Sequence, residues 1–508
     1  MLHNAINMKL RFYHPSVFTL LAFCLFASSL HAQVFELDGI KYRYDAESRS
    51  ATVVNVYGKG DIVVPRSVVY NEQELPISGM QPECFMNNKD IRTVRLYDNI
   101  KEIPPYAFCG CSLLSIELPE GLETIKKYAF MSTHNLNEVK LPQSLEVIEE
   151  GAFYGSGISS ILLPDSIQTI EGQAFASSNI VEFSFHCKDH TLNNNVFRFC
   201  KQLRSMIIEE GTTIVHQNFG GCSSLESLYI PASVEQLSYF AQDGPNKGGN
   251  YLTSVKVDPR NKRYDSRDNC NAIIETETNT LLFACPTTVL PREIRSIASY
   301  AFSSERQTEI PPIPNSVEYV HERALNCLDE IPNLVFEDGD KDLNLAYHFN
   351  RNHDDGSFSS IKTLYLGRNT TWLGNGKDYD ENMMKVGTLI LGKEVSRLIC
   401  QVNLQTDKVY AQSTNPSALD IDFKNADAVF FLAPLYVPIG TKEKYRQCEG
   451  WNKFLNIVEY DATTISSAKT DAHKTNIYNI NGHRITGIQK GINIIRDTDG
   501  KARKFIRK

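Results

Sequence analysis

Apolar residues return at a fixed interval along most of this chain. Residues 116–130 read IELPEGLETIKKYAF and residues 139–153 read VKLPQSLEVIEEGAF, 23 positions apart. Phenylalanines keep the same beat at Phe85, Phe108, Phe130, Phe153, Phe175, Phe197, Phe219 and Phe240, at intervals of 21 to 23 residues. A period of this length predicts a stack of small like units. The units read L-x-x-I-x-L-P in Leu113–Pro119, Leu136–Pro142, Ile158–Pro164 and Leu225–Pro231, and without the proline in Ile180–His186 and Leu203–Glu209; [LVI]-x-x-I, A-F and a small polar turn follow. In the first part, apolar and exposed positions alternate as in a strand. Proline then closes the strand, because it has no amide hydrogen to give to a ladder. The second apolar pair, such as Leu122 and Ile125, carries the chain back along the other side, and A-F plugs the interior at a short helical or 3₁₀ turn.

A single unit cannot bury its own apolar side chains, so it needs neighbours above and below. Strands of successive units then stack at about 4.8 Å into one parallel ladder. The expected fold is a β-rich leucine-rich-repeat solenoid. It has a parallel ladder on one face and short turns on the other. The A-F, G-C-S (Gly110–Ser112, Gly221–Ser223) and L-P signatures resemble the BspA-like leucine-rich repeats of Bacteroidetes surface proteins, from Pro82 to Phe302 and onward to Leu391.

The flanks and breaks of the pattern divide the chain. Residues 1–32 hold Lys9 and Arg11, an apolar run from Val17 to Leu30 and a small residue, Ala32, before Gln33. That order predicts a secretory signal peptide, and Phe23 before Cys24 argues against a lipoprotein signal. Residues 33–80 carry a D-G turn at Asp38-Gly39 between alternating arms and are expected to form a β N-terminal cap. Residues 81–302 form the regular repeats, with a hairpin insertion near 258–290; 303–425 are divergent repeats in which 331–336, 361–366 and 386–391 still read as ladder strands. Residues 426–460 resemble the family's C-terminal cap, with Tyr445 and Trp451 on a short helical closure. A polar linker, 461–474, leads to a tail, 475–508, that resembles a small β-rich sorting segment of type IX secretion.

Composition narrows the function. A formal charge of −8 opposes a nucleic-acid footprint. Twelve cysteines, eleven without Cys24, follow the repeat and not a disulfide framework. Cys109, Cys111, Cys200 and Cys222 recur at the turn after A-F and read as packed thiols, since no second pair completes a zinc set. His186-Cys187-x-x-His190 reads as an irregular strand-end loop. Asp338-Gly-Asp340-Lys-Asp342-Leu-Asn344 opens like a calcium loop but has Leu343 and Phe349 where glycine and glutamate belong. No cofactor is expected, and no catalytic motif appears.

The exposed positions of the ladder are therefore the candidate site. The central row is Arg95, Glu117, Lys140, Leu162, Ser184, Ile207 and Tyr229, beside a row of Thr93, Ser115, Glu138, Ser160, Glu182, Ser205 and Ser227. Leu162, Ile207 and Tyr229 form a candidate contact patch. The family resemblance implies an exported protein at the outer-membrane surface or outside the cell, with no transmembrane span in the mature chain. It would bind host extracellular-matrix or cell-surface proteins, or other bacteria, without catalysis. Two alternatives remain open. One is glycan binding through Tyr229 and Tyr365. The other is an enzyme whose cleft, lined by two carboxylates or a nucleophile and base, lies within 303–425.

Overall fold

The structure, a computed structural model, describes residues 33–216, 218–237, 251–325, 327–347, 349, 360–374, 384–402, 404–423 and 431–461, and the backbone of 476–479, 484–485, 491–496 and 502–507. The expected signal peptide, Cys24, Phe240 and nearly all of the linker lie outside the described residues.

The chain coils as a solenoid with parallel pairing between successive turns. On one side, strands Gly60–Val63, Ile91–Arg95 and Ser115–Glu117 run in register, Arg95 beside Glu117. On the other, Glu102–Ile103, Thr124–Ile125, Val147–Ile148 and Thr169–Ile170 align Ile103, Ile125, Ile148 and Ile170 in one row. The first rung, Gly60–Val63, lies within the stretch expected to be cap. Where proline follows the strand motif it starts a turn: the carbonyls of Pro119, Pro142 and Pro164 accept from the amides three residues on, each at 3.1 Å.

The A-F pairs fill the interior. Phe108, Phe130, Phe153 and Phe175 stack with centroids 5.1–5.4 Å apart and planes within 7° of parallel. Phe85 and Phe197 extend the column at 4.6 and 5.9 Å. Leu113, Leu122, Ile125 and Phe130 are wholly buried, whereas Leu118 and Leu163 at the end of the strand motif are only half-buried.

The turn is not a run of helix. Its amides alternate between 3₁₀-type bonds within a coil, such as Cys109 N–H to the Tyr106 carbonyl at 3.1 Å, and bonds to the next coil, such as Phe108 N–H to the Ala129 carbonyl at 2.8 Å. Two left-handed residues make this alternation possible. One precedes A-F (Tyr106 φ 57, Tyr128 φ 55, Gln173 φ 61) and one lies two after the phenylalanine (Gly110 φ 68, Ser132 φ 57, Ser177 φ 58). Where the first is Gly151, the Tyr128 ring lies over it, and a Cβ there would come 2.1 Å from Tyr128 Cε1. The same overlap recurs at Gly221 under Phe199.

One residue later runs a buried row of small polar side chains: Cys111, Thr133, Ser156, Ser178, Cys200 and Cys222. The thiols of Cys111, Cys200 and Cys222 donate to the carbonyls of Phe85, Phe175 and Phe197 at 2.9, 3.1 and 3.0 Å. These are packed thiols, and all eleven described cysteines are unpaired. A thiol reagent under native conditions should therefore label Cys448 first and Cys327 more slowly, since burial pushes the Cys327 thiol up to about 12. The other nine should react only on unfolding, as peptide mapping would show.

The expected hairpin forms from Ala272–Glu275 and Thr280–Ala284, and its second strand joins the ladder parallel to Ser296–Ile297. It also divides the interior. Ile273 and Phe283 point into one core, and Ile274 and Leu281 into a second that continues to the C-terminal cap. That second half is built on strands Glu330–Phe336, Ser360–Leu366, Met384–Leu391, Leu404–Ala411, Leu435–Pro438 and Ile457–Tyr460, all parallel. The cap is closed by helix Lys442–Gln447 and the turn Trp451–Lys453. Here the buried Tyr445 meets Trp451 edge-on at 5.1 Å. At the other end, strands Val34–Leu37, Ile40–Asp45 and Ser50–Val56 make an antiparallel cap through the Asp38-Gly39 turn. The tail strands 476–479, 484–485, 491–496 and 502–507 form a separate antiparallel sheet.

Candidate functional site

The ladder's register sets the seven sequence-predicted residues along its exposed face. Arg95 pairs with Glu117, Ser184 with Ile207, and Tyr229 with Lys256, while Glu138 and Ser160 bridge in the adjoining row. Alternation explains the exposure: Val94, Ile116, Val139, Ile161, Phe183, Met206 and Leu228 point inward.

The seven differ in how free they are. The Arg95 guanidinium donates to both carboxylate oxygens of Glu117, at 2.5 and 2.8 Å, which lowers the Glu117 pKa and raises that of Arg95. Lys140 is exposed and has no ion pair among the described residues. Leu162 is 84% exposed and Ile207 57%, with Ser184 on the rung between them. The Ser184 hydroxyl donates to Glu209 at 2.5 Å. The patch is thus a broken row, Leu162 standing apart and Ile207 beside Tyr229.

Tyr229 is held in place. Its ring is 43% exposed, but its hydroxyl donates to Asp258 Oδ2 at 2.7 Å, and this bond raises the Tyr229 pKa. Arg260 grips Asp258 at 2.8 Å and Glu210 at 3.0 Å. Hydrogen bonds from Arg260 and Tyr229 hold the Asp258 carboxyl well below the usual carboxylate range. Sequence reading misses this clamp, because Asp258 lies 29 residues beyond Tyr229, across the break in the period.

The repeats match the BspA type Leucine rich repeat region in six copies, over residues 78–204, 123–244 and 283–366. These are BspA-type leucine-rich repeats. Similar solved structures include a Treponema pallidum leucine rich repeat protein, 24% identical, covering 38% of this chain and 91% of that one, with a TM-score of 0.34. The pneumococcal vaccine antigen PcpA is 15% identical over 85% of this chain and 99% of its own, TM-score 0.42. A leucine rich cell surface protein of Faecalibacterium prausnitzii is 14% identical over 87% and 98%, TM-score 0.37. No curated protein matches the chain.

Elsewhere in the BspA-type repeats the polar clusters are already engaged. The Cys187 thiol donates to Asp189 Oδ1 at 2.8 Å, and no group of three metal-ligating side chains converges among the described residues. In the acidic loop, Asp342 pairs with Arg397, Lys341 with Glu318, and Asp338 accepts from the Tyr365 hydroxyl. That bond corrects one expectation. Tyr365 is only 4% exposed and sits between Val335 and Ile390 of the flanking strands, so it offers no face for a sugar to stack on.

The divergent region does contain a cleft of about 310 Å3, lined by Glu330, Ser360, Ile361, Lys362, Lys385, Val386, Gly387, Gln405 and Asp407. Its two carboxylates stand on strands three rungs apart. At about 4.8 Å per rung that is about 14 Å, beyond the roughly 5–9.5 Å over which a carboxylate pair cleaves a glycosidic bond. Two lysines stand between them. The arrangement suits binding better than acid–base work. Among the described residues no helix is long and apolar enough to cross a membrane.

Proposed function

We propose that this is a non-enzymatic binding protein, displayed at the outer-membrane surface or released, that engages host extracellular-matrix or cell-surface proteins, or other bacteria, through the exposed strand row from Arg95 to Tyr229. The observation that carries this reading is the exposure of Leu162, Ile207 and Tyr229 on a row whose first rung, Val63 beside Arg95, is exposed and apolar as well. Export is supported by the basic-then-apolar leader and by the sorting-like tail. A repeat ladder offers a long, nearly flat surface, so affinity would come from many modest contacts, with the braced Tyr229 ring as the rigid anchor.

The test is binding of the protein to a panel of extracellular-matrix proteins, epithelial cells and bacterial cells, with a glycan array beside it. Leu162→Asp with Ile207→Asp should weaken binding to the partner found by about tenfold or more. Glu117→Lys should weaken it less, because Arg95 already neutralises that carboxylate. Unchanged affinity in both variants would remove the row as the site, and capture of glycans alone would favour the carbohydrate reading.

A further inference from the structure

The cleft in the second half has a charge order that points to its occupant. Across four successive strands it presents Glu330, then Lys362, then Lys385, then Asp407. The order is minus, plus, plus, minus along the solenoid axis. Nearby charges of the same half are paired, Arg292 with Glu337, Lys341 with Glu318 and Arg397 with Asp342. The four cleft charges have no ion pair among the described residues. Other charges of this half, such as Lys393 and Glu394, also have no ion pair among the described residues, so it is the gathering of these four around one concavity that points to a ligand.

Gly387 keeps the floor bare between them. A Cβ there would come 2.9 Å from the Lys362 carbonyl oxygen, so the strand requires glycine and the two lysines flank an empty position. Ser360 and Gln405 supply neutral hydrogen-bonding groups, and Ile361 and Val386, whose side chains are buried in the second core, close the floor from behind. No aromatic side chain lines the cleft, which argues against a sugar ring as the ligand.

We propose that this cleft is a second binding site, separate from the strand row of the N-terminal half, and that it takes an extended polypeptide segment with an acidic residue midway between two basic ones. The acidic side chain meets Lys362 and Lys385 on adjacent strands, and the outer basic ones meet Glu330 and Asp407. The spacing agrees. Three rungs span about 14 Å, an extended chain rises about 3.3 Å per residue, and only residues an even number apart share a face, so the basic residues stand four positions apart with the acidic one midway. Complementary charges of this kind select the partner and speed its encounter more than they tighten it.

The probe is the blocked peptide Lys-Gly-Glu-Gly-Lys, whose three charges share one face when extended, titrated calorimetrically into the protein against its inverse, Glu-Gly-Lys-Gly-Glu. The first should bind about fivefold or more tighter, and the difference should shrink as salt rises from about 20 to about 500 mM. Lys362→Glu with Lys385→Glu should abolish binding of the first peptide and create binding of Lys-Gly-Lys-Gly-Lys. These are exposed, unpaired side chains, so the variant's thermal unfolding should match that of the parent. Equal affinity for the two peptides, absence of saturable binding at millimolar peptide, or an unchanged preference in the double variant would each overturn the proposal. So would a loss of self-association on the lysine swap in place of a loss of peptide binding, which would make the occupant a second copy of this chain.

Discussion

Phe153→Ala should lower the stability of the N-terminal half by about 3–5 kcal/mol. The ring is fully buried and stacks between Phe130 at 5.1 Å and Phe175 at 5.4 Å. Truncation removes one disc from a column whose neighbours are tied to the ladder by backbone bonds on each coil: Phe130 N–H to the Ala152 carbonyl and Phe153 N–H to the Ala174 carbonyl, both 2.7 Å. The walls cannot close over the gap without breaking those bonds, so the cavity stays. In a solenoid each unit is stabilised by its neighbours, so the loss spreads along the coils next to it. It should stop at the hairpin, because the second core begins on the other face of that element. Hydrogen exchange would therefore speed at Thr124–Ile170 and stay slow at Ser360–Ala411. Phe153→Leu should cost less. A uniform loss of protection over both halves would contradict the two-core division, and no loss at all would contradict the column.

The interior of this protein was legible from sequence because every coil meets the same steric demand. Phe108, Phe130, Phe153 and Phe175 fill one position of one column, so the period of the side chain is the period of the fold. The packed thiols were legible for the same reason. The left-handed residues were not. Tyr106, Tyr128, Gln173 and Arg323 carry no common side-chain signal, since neighbouring coils supply the bonds that hold each backbone in place. The candidate site was half legible. Alternation alone puts Leu162 and Ile207 outside, but Tyr229's clamp depends on a pairing across the insertion. Tyr365 shows the limit of alternation: it occupies an outward position and is still closed off by its neighbours and Asp338. The cleft depends on registers that unequal coils conceal. Glu330 pairs with Ser360, Ile361 with Val386 and Lys385 with Gln405, at separations of 30, 25 and 20 residues.

The thiols that make the disulfide-free interior possible also set its weakness in alkali. Burial pushes the thiols of Cys84, Cys111, Cys285 and Cys400 from their ordinary value near 9 up to about 12. Below pH 9 both folded and unfolded chains keep these protons, and stability does not change on their account. Between pH 9 and 12 the unfolded chain loses protons that the folded chain retains, so stability falls as pH rises. Each thiol contributes about 1.4 kcal/mol per pH unit, so these four alone contribute about 5 kcal/mol per pH unit, and the other raised thiols, Cys187 and Cys327 among them, add to the slope. Tyr42, buried and pushed up to about 12 as well, adds to the fall above pH 10. Urea midpoints measured with a non-thiol reductant should be level up to about pH 8.5 and drop steeply by pH 10. Cys285→Ala with Cys400→Ala removes two of the raised thiols and should reduce the slope by about 3 kcal/mol per pH unit. A level profile to pH 10.5, or the same slope in the double variant, would show that these thiols reach solvent. The hydrogen-bonded sulfur row inside the coils would then not be the sealed interior that Cys111, Cys200 and Cys222 build with the phenylalanine carbonyls.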